Sequence, residues 1–159
     1  MPARMGRTYR VAGPLVVAEG LESPRMYEVV YVGSEGLIGE VIAVRGEKTY
    51  IQVYEETTGL TVGERVEATG RLLSAELGPG LIGSIYDGLQ RPELEIGRIL
   101  GDIFIKRGVK VNALDRSKKW VFERSSEIRV GERVSEGDVL GSVKESPLVD
   151  HKITIPPGV

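Results

Sequence analysis

Cysteine is absent from this 159-residue sequence, and its absence excludes several kinds of chemistry. The chain has no thiol for a disulfide bond, a thiolate-ligated metal or a cysteine nucleophile. It has one histidine, His151, and a single histidine supplies neither a zinc site nor a nucleophile–base pair. We therefore predict no catalytic and no metal-binding residue, and we expect His151 to be a surface or packing residue.

Long apolar runs and an excess of basic charge are missing as well. No stretch approaches the roughly 18–20 residues of a membrane-spanning helix, and no apolar N-terminal segment indicates a signal peptide. The formal net charge is −2, whereas nucleic-acid binding usually requires a basic surface. We therefore expect no nucleic-acid partner and no direct membrane insertion.

A phosphate-binding loop of the type G-x-x-x-x-G-K-[S/T] is also absent, and the sequence contains no Gly-Lys dipeptide. Such a loop needs glycine backbone amides, a lysine and a hydroxyl to hold phosphates and their magnesium ion. The stretch Gly78–Gly83 does match the G-x-G-x-x-G dinucleotide fingerprint, but Pro79 and Gly88 oppose the long helix that must follow. We therefore expect a structural loop there and predict no cofactor-binding residue in this chain.

Glycine, in contrast, is abundant, with 21 residues. Short apolar segments rich in β-branched residues alternate with glycine turns and predict strands. These segments are Thr8–Ala18 with a break at Gly13-Pro14, Tyr27–Val32, Leu37–Arg45, Lys48–Tyr54 and Val62–Ala68. Five or six short strands at this spacing favour a small closed β-barrel. Within the fourth segment, alternation predicts Tyr50, Gln52 and Tyr54 on one face and Ile51 and Val53 on the other.

The stretch Gly78–Pro92 holds four glycines and two prolines, which exclude an ordinary helix. We interpret it as an ordered junction because it has apolar side chains to bury. These are Leu81, Ile82, Ile85, Tyr86 and Leu89. Pro92 suits the first position of a helix. We expect the buried side of that helix to be formed by Leu94, Ile96, Ile99 and Leu100, and we expect Ile103–Lys106 to return to strand.

The remaining residues predict a second β-rich unit. Its predicted strands are Trp120–Phe122, Ile128–Val130, a short piece at Val134, Val139–Val143 and Ile153–Ile155. An apolar strand is completed just before the last residues, so we expect this unit to be incomplete. The predicted fold is therefore mainly β. It consists of a six-stranded N-terminal barrel domain at 1–70, a glycine-rich junction at 71–108 and a bulge unit at 109–159.

Carboxylates of the barrel and the junction, and aromatic residues of the barrel, give little sign of chemistry. Glu55, Glu56 and Asp87 have no histidine or metal partner, so we expect them to lie at a solvated strand end or turn. The face that carries Tyr50 and Tyr54 suits an oligonucleotide groove or a barrel–barrel contact. The acidic composition favours the barrel–barrel contact.

Lys118, Lys119 and Trp120 are the candidate partner-contact residues. Tryptophan and cationic side chains are frequent at the hot spots of protein interfaces. The alternative for the same three residues is a charged strand end beside a core tryptophan.

Several segments resemble one known family in the same order. They are Gly13–Ala18, Met26–Val30, Gly39–Ile42, Ile51–Leu60 (IQVYEETTGL), Glu76–Gly80, Gly83–Gly88 and Gln90–Pro92. Together they resemble the N-terminal part of the catalytic A subunit of archaeal A-type ATP synthases and eukaryotic V-type ATPases. Ala113–Arg116, Lys118–Trp120 and His151–Val159 resemble the insertion that distinguishes this subunit from other rotary-ATPase subunits.

The resemblance implies that residues 1–70 join other A subunits and the B subunits in a crown of barrels. Residues 109–159 would be a bulge that meets the peripheral stalk, in a soluble head on the cytoplasmic side of the membrane. The full subunit would bind Mg-ATP through a P-loop and serve a rotary proton- or sodium-translocating ATPase. Because this chain lacks that loop, it resembles a structural and assembly fragment that is inactive alone.

Two alternatives stay open at this point. One is an independent small β-barrel module that binds protein or nucleic acid. The other is an enzyme that uses the loop at Gly78–Gly83 for a nucleotide.

Overall fold

The computed structural model of the chain describes residues 4–101 and 107–158. The described residues form two compact units. One consists of residues 4–74 with 107–110, and the other of residues 75–101 with 111–158. The strand predicted at Ile103–Lys106 falls on residues 102–106, outside the described residues.

The first unit is a closed barrel of six antiparallel strands. They are Arg4–Ala12 (β1), Leu15–Glu19 (β2), Glu28–Val32 (β3), Leu37–Arg45 (β4), Lys48–Val53 (β5) and Arg65–Leu72 (β6). Their order around the barrel is β1-β2-β5-β4-β3-β6. Every neighbouring pair is antiparallel, and the pairing of β1 with β6 and of β3 with β6 closes the ring. The predicted mainly β fold with a six-stranded barrel is therefore confirmed.

Turn chemistry and alternation explain why these segments form strands. Gly13 and Gly46 take the positive φ that the two hairpin turns require, at 58° and 57°. Along β5, Thr49, Ile51 and Val53 are buried while the residues between them are partly exposed, as the alternation predicts. The barrel interior is apolar and dominated by β-branched residues. It contains Val16, Ala18, Val30, Val32, Leu37, Val41, Ile51, Val53, Val66 and Ala68.

A buried carboxylate joins three parts of the barrel. Glu28, at the start of β3, has 1% of its side chain exposed and forms a salt bridge with Arg4 of β1. Its oxygens also accept hydrogen bonds from the backbone N–H groups of Arg25, at 3.0 Å, and Gly70, at 2.5 Å. Buried charges are tolerated when they are paired and hydrogen-bonded in this way. The β3–β6 register shifts between Glu28 and Val30, so the carboxylate lies at an irregularity in the pairing.

The second unit contains a short helix, Glu93–Leu100 (α1), and a three-stranded sheet. The strands are Phe122–Arg124 (β7), Val139–Ser146 (β8) and Val149–Thr154 (β9), in the order β7-β8-β9. Pro92 precedes the first helical residue, and Gly101 ends the helix with φ 63°. A left-handed glycine at this position is a common helix terminator.

The predicted buried side of α1 is wrong for two of its residues. Ile96 is fully buried, whereas Leu94 and Ile99 are 58% and 61% exposed. At 3.6 residues per turn, Leu94 projects about 160° away from Ile96, so one side of this helix cannot bury both. The side chain of Leu100 lies outside the described part of the structure.

Several strands predicted for the second unit are also wrong. Trp120 precedes β7 rather than forming part of it, and Val134 is not in a strand. The segment Ile128–Val130 leads into a turn, in which the Glu132 N–H donates to the Arg129 carbonyl at 3.1 Å. Val130 is fully exposed. Its β-branched side chain favours strands only where a neighbouring strand offers a surface to pack on.

Candidate partner-contact site

The loop Gly78–Gly83 is a series of tight turns rather than the opening of a helix. The Leu81 N–H donates to the Gly78 carbonyl at 3.3 Å, and the Ser84 N–H donates to the Leu81 carbonyl at 3.3 Å. α1 begins only at Glu93, and no strand leads into the loop among the described residues. The dinucleotide fingerprint has meaning only between a strand and a helix, so the match at this loop lacks its structural context.

Backbone amides of this loop already bind an anion of the chain itself. The N–H groups of Gly80 and Ile82 donate to Glu145 Oε1, at 2.7 and 3.1 Å. His151 Nδ1 lies 3.1 Å from Glu145 Oε2. Burial alone would raise the pKa of Glu145, but the two amide hydrogen bonds and His151 hold it below its ordinary value. Phosphate oxygens would have to displace this carboxylate to reach either amide.

The end of the junction is organised by a carboxylate that binds backbone. Asp87 Oδ1 accepts from the N–H groups of Leu89 and Arg91, at 3.0 and 2.8 Å, and Oδ2 accepts from Arg91 Nε at 2.7 Å. Burial would raise the pKa of Asp87, yet these hydrogen bonds lower it overall. Asp87 therefore lies in a half-buried, hydrogen-bonded turn rather than a freely solvated one.

Apolar side chains of the junction are less buried than expected. Ile82 and Ile85 are 58% and 56% exposed, whereas Leu81, Tyr86 and Leu89 are half-buried. The expectation that the junction buries its apolar residues is therefore wrong for the first two. Hydrogen bonds to Glu145 and Asp87 account for the order of the backbone without burial of Ile82 and Ile85.

Two of the three candidate partner-contact residues touch one another. Lys118 Nζ lies 4.0 Å from the centroid of the Trp120 ring, a distance at which a cation is attracted to an aromatic face. Lys118 and Lys119 are exposed and Trp120 is half-buried. The Trp120 ring packs beside Gly80, where an added Cβ would lie 3.5 Å from Trp120 Cζ2. The structure thus places one exposed cation, Lys118, against an anchored aromatic ring, and Lys119 is an exposed neighbour of both in the sequence.

Lys118 and Trp120 also line a cleft of about 400 Å³ within the second unit. Its walls combine apolar side chains with a charged rim. The lining includes Ile85, Leu94, Ile99, Leu114, Trp120, Arg98, Arg116 and Lys118. Arg116 is paired with Glu76, and exposed ion pairs of this kind contribute little to stability. The cleft therefore offers apolar area beside solvent-exposed cations.

The barrel carboxylates have structural partners. Glu55 is 9% exposed, and its two oxygens accept from the N–H groups of Ile38 and Gly108, both at 2.9 Å. The expectation that Glu55 is solvated is therefore wrong. Glu56 is exposed and accepts from the Thr58 N–H and hydroxyl, at 3.1 and 2.6 Å.

Burial of Glu55 depends on the returning residues 107–110. Arg107 forms two hydrogen bonds with the Glu35 carboxylate, at 2.7 and 2.8 Å, and donates to the Thr58 carbonyl. Lys110 Nζ lies 3.9 Å from the centroid of the Tyr31 ring. No local sequence signal could have indicated this, because Glu55 and Gly108 are 53 residues apart.

The Tyr50–Tyr54 face points out of the barrel, as the alternation predicts. Tyr54 is 42% exposed, and its hydroxyl donates to Glu40 Oε2 at 2.9 Å. Burial and the neighbouring Glu40 carboxylate raise the pKa of Tyr54. Arg45 lies over the Tyr50 ring, 5.4 Å from its centroid. These outward tyrosines are thus held in place by charged neighbours on the barrel surface.

Metal-binding clusters and membrane-spanning helices are both missing from residues 4–101 and 107–158. These residues contain no group of three or more histidine, aspartate or glutamate side chains placed to hold a metal ion. Within the same ranges, no helix has the length and apolar composition needed to cross a membrane.

Comparison with known families accounts for both units. Residues 8–70 match the family described as ATP synthase alpha/beta family, beta-barrel domain. Residues 111–159 match the family described as the barrel-sandwich domain of the ATP synthase alpha/beta subunit. The first match spans most of the six strands of the barrel, and the second contains Lys118, Lys119 and Trp120.

Individual curated relatives are similar in sequence to this chain along nearly its whole length. The chain is 60% identical to the A subunit of the A-type ATP synthase of Hyperthermus butylicus over 159 residues, 100% of this chain and 26% of that protein. It is 56% identical to the protein of the same name from Methanopyrus kandleri over 154 residues, 97% of the chain and 26% of the relative. It is also 56% identical to that of Thermococcus kodakarensis over 155 residues, 98% of the chain and 26% of the relative. The chain spans about a quarter of the length of these relatives. It therefore belongs to the ATP synthase alpha/beta family, and throughout its length it is similar to the A subunit of A-type ATP synthases.

Proposed function

We propose that this chain is a structural and assembly part of the catalytic A subunit of a rotary A-type ATP synthase, and that it is inactive alone. The observation that carries the proposal is the identity of 51–60% to the A subunits of A-type ATP synthases, which extends over 96–100% of the chain. The absence of a G-x-x-x-x-G-K-[S/T] motif supports the proposed inactivity of the isolated chain, because this chain supplies no lysine-bearing phosphate loop.

The barrel binds other subunits of the head. Its exposed large apolar side chains include Tyr9, Tyr27, Ile42, Val44 and Tyr54. Surfaces of this kind are suited to protein contacts, and the partners we propose are B subunits together with further A subunits. The head to which the barrel belongs is peripheral to the membrane on its cytoplasmic side. Mg-ATP is bound by the remainder of the A subunit.

The second unit contacts the peripheral stalk. Its contact surface is formed by Lys118, Lys119 and the half-buried Trp120. The ring is held beside Gly80, and both lysines are exposed, so an acidic partner could pair with them without unfolding this unit. Such a contact combines an aromatic anchor with cations whose contribution weakens as salt is added.

A hybrid protein tests the proposed function as a whole. The matching segment of the Hyperthermus butylicus A subunit is replaced by this chain, and the hybrid is assembled with the other subunits of that enzyme. We expect an assembled complex that hydrolyses ATP, whereas the 159-residue chain alone hydrolyses none. A hybrid that folds but does not assemble would contradict the proposal.

A charge reversal tests the stalk contact within that hybrid. The change Lys118→Glu with Lys119→Glu should weaken peripheral-stalk binding at low salt several-fold and leave ATP binding unchanged. The matched control is Lys144→Glu with Lys152→Glu, which changes the charge equally at two exposed residues of the β8–β9 sheet. Equal stalk affinity in both double variants would assign the first pair to an ordinary solvated surface.

A further inference from the structure

An irregularity in the β8–β9 sheet coincides with the buried carboxylate of Glu145. Lys144 pairs with Asp150 and Ser146 pairs with Val149, so Glu145 has no opposite residue in β9. A β-bulge of this kind re-aims a side chain and is a specific feature of a sheet rather than a defect. The side chain of Glu145 is 4% exposed, although glutamate is almost never fully buried unless it is paired.

We propose that the loop Gly78–Gly83 contains a carboxylate-binding site and that Glu145 is its built-in ligand. The site is formed by the N–H groups of Gly80 and Ile82 and by the His151 imidazole. Glu145, Gly80, Ile82 and His151 together are called the clasp below. The inference goes beyond the proposed function, because it concerns contacts within the second unit that need no other protein.

The geometry selects a planar two-oxygen anion. Both amides point at Oε1, at 2.7 and 3.1 Å, and the imidazole approaches Oε2 at 3.1 Å. Gly80 has φ 102°, a conformation that other residues rarely adopt and that helps two nearby amides converge on one acceptor. Carboxylates that accept backbone N–H bonds in a buried place are strongly favoured in their ionised form.

Among the described residues, the charged neighbours of Glu145 in its own hairpin are paired with each other. Lys144 and Asp150 of the same hairpin pair with each other at 3.3 Å, and both are more than half exposed. Within residues 4–101 and 107–158, His151 is the titratable side chain that contacts Glu145. Through one carboxylate, the clasp therefore joins Glu145 to Gly80 and Ile82, which precede it in the sequence by 65 and 63 positions. Glu145 is a positioning residue for the loop rather than a catalytic residue.

Chemical rescue tests the clasp in the 159-residue chain. Glu145→Ala empties the site, and we expect the backbone N–H groups of Gly80 and Ile82 to exchange with solvent at least about tenfold faster. Sodium formate should restore their protection in a saturable way, whereas the same concentration of sodium chloride should not. In Glu145→Gln the site stays filled, so we expect a smaller loss of protection and no response to formate.

Asp150→Ala is the matched control, since it removes an exposed acid from the same hairpin. It should leave the exchange of both amides unchanged. Unchanged exchange in Glu145→Ala, or loss that formate does not reverse, would overturn the proposal.

A titration of the unaltered chain covers the case in which Glu145→Ala fails to fold. The chemical shift of the Glu145 carboxyl carbon reports the ionisation of its carboxyl group. The amide proton shifts of Gly80 and Ile82 should change with the same midpoint, at a pH below the ordinary pKa of 4.5. A carboxyl carbon that titrates while both amide shifts stay constant would overturn the proposal.

Discussion

The side-chain amide of Gln90 pairs with the backbone of Glu76 through two hydrogen bonds. Gln90 Oε1 accepts from the Glu76 N–H at 2.5 Å, and Gln90 Nε2 donates to the Glu76 carbonyl at 2.7 Å. Gln90 also has φ 57°, in the left-handed region that disfavours most side chains. The junction thus keeps an unfavourable backbone angle at a residue whose side chain closes the loop from 76 to 90.

Substitutions at Gln90 should separate these two effects. Gln90→Ala removes both hydrogen bonds and keeps the strained angle, so we expect a loss of about 2 kcal/mol in the free energy of unfolding. Gln90→Gly removes the same bonds but relieves about 1 kcal/mol of left-handed strain. Urea unfolding followed by the fluorescence of Trp120, the single tryptophan, reports on this unit. Equal losses in both variants would show that the angle at Gln90 carries no strain.

The buried Glu28–Arg4 pair predicts a larger effect in the barrel. Glu28→Ala leaves Arg4 and two backbone N–H groups without their shared acceptor. We expect the free energy of unfolding to fall by about 3 kcal/mol, which is the lower end of the range for broken buried ion pairs, because Arg4 is 24% exposed. Thermal unfolding followed by circular dichroism measures this loss of stability. Glu19→Gln, which breaks the exposed pair with Lys48, should change stability by less than about 1 kcal/mol.

Native-state hydrogen exchange should show different degrees of backbone protection in the barrel and in the second unit. We expect backbone amides of the barrel, within residues 8–69, to be more strongly protected than those of residues 128–155. The barrel closes on itself around a continuous apolar core, whereas the buried apolar side chains described in the second unit are Ile96, Leu114 and Val143. Protection follows the free energy of opening, which is lowest where few apolar contacts are buried. Equal or reversed protection would contradict this expectation.

Glu64 should make the barrel sensitive to acid. Its pKa is lowered from 4.5, chiefly by the hydrogen bond from the Thr61 N–H and then by that from the Ser34 N–H. A depressed carboxyl pKa contributes stability that is present above pH 4.5 and is lost as the pH falls through the folded-state value. In Glu64→Gln, stability between about pH 5 and 2 should therefore fall less steeply than in the unaltered chain. Parallel pH profiles from urea titrations would contradict the role of Glu64.

Calorimetric titration with Mg-ATP should show no saturable binding to the 159-residue chain. The sequence has no Gly-Lys dipeptide, and the Gly80 and Ile82 amides are taken by Glu145. Binding with a micromolar dissociation constant, about −8 kcal/mol, would contradict the proposed inactivity of the isolated chain.

Local patterns sufficed for the barrel because its strands alternate and are joined by glycine turns. β4 is predicted with its observed bounds, Leu37–Arg45, and the inner face of β5 follows from period-two alternation. The predicted strand at Ile128–Val130 failed because β propensity cannot show whether another strand lies alongside.

Contacts between distant residues could not be predicted. The burial of Glu55 depends on the N–H of Gly108, and the order of the glycine loop depends on Glu145, 65 residues after Gly80. The residues around a glutamate do not show whether its carboxylate will bind water or a backbone amide from a distant part of the chain. The stretch Gly78–Gly83 forms tight turns, as its sequence context predicts, because the strand and the helix that the fingerprint requires are missing from the pattern.

Closure of the barrel determines how another protein can recognise it. A ring of six paired strands has no outer strand whose backbone could hydrogen-bond to a visiting chain. Recognition of the barrel wall therefore relies on its outward-facing side chains rather than on pairing with the edge of a strand. A neighbouring protein can then change its contacts residue by residue during evolution while the barrel itself stays intact.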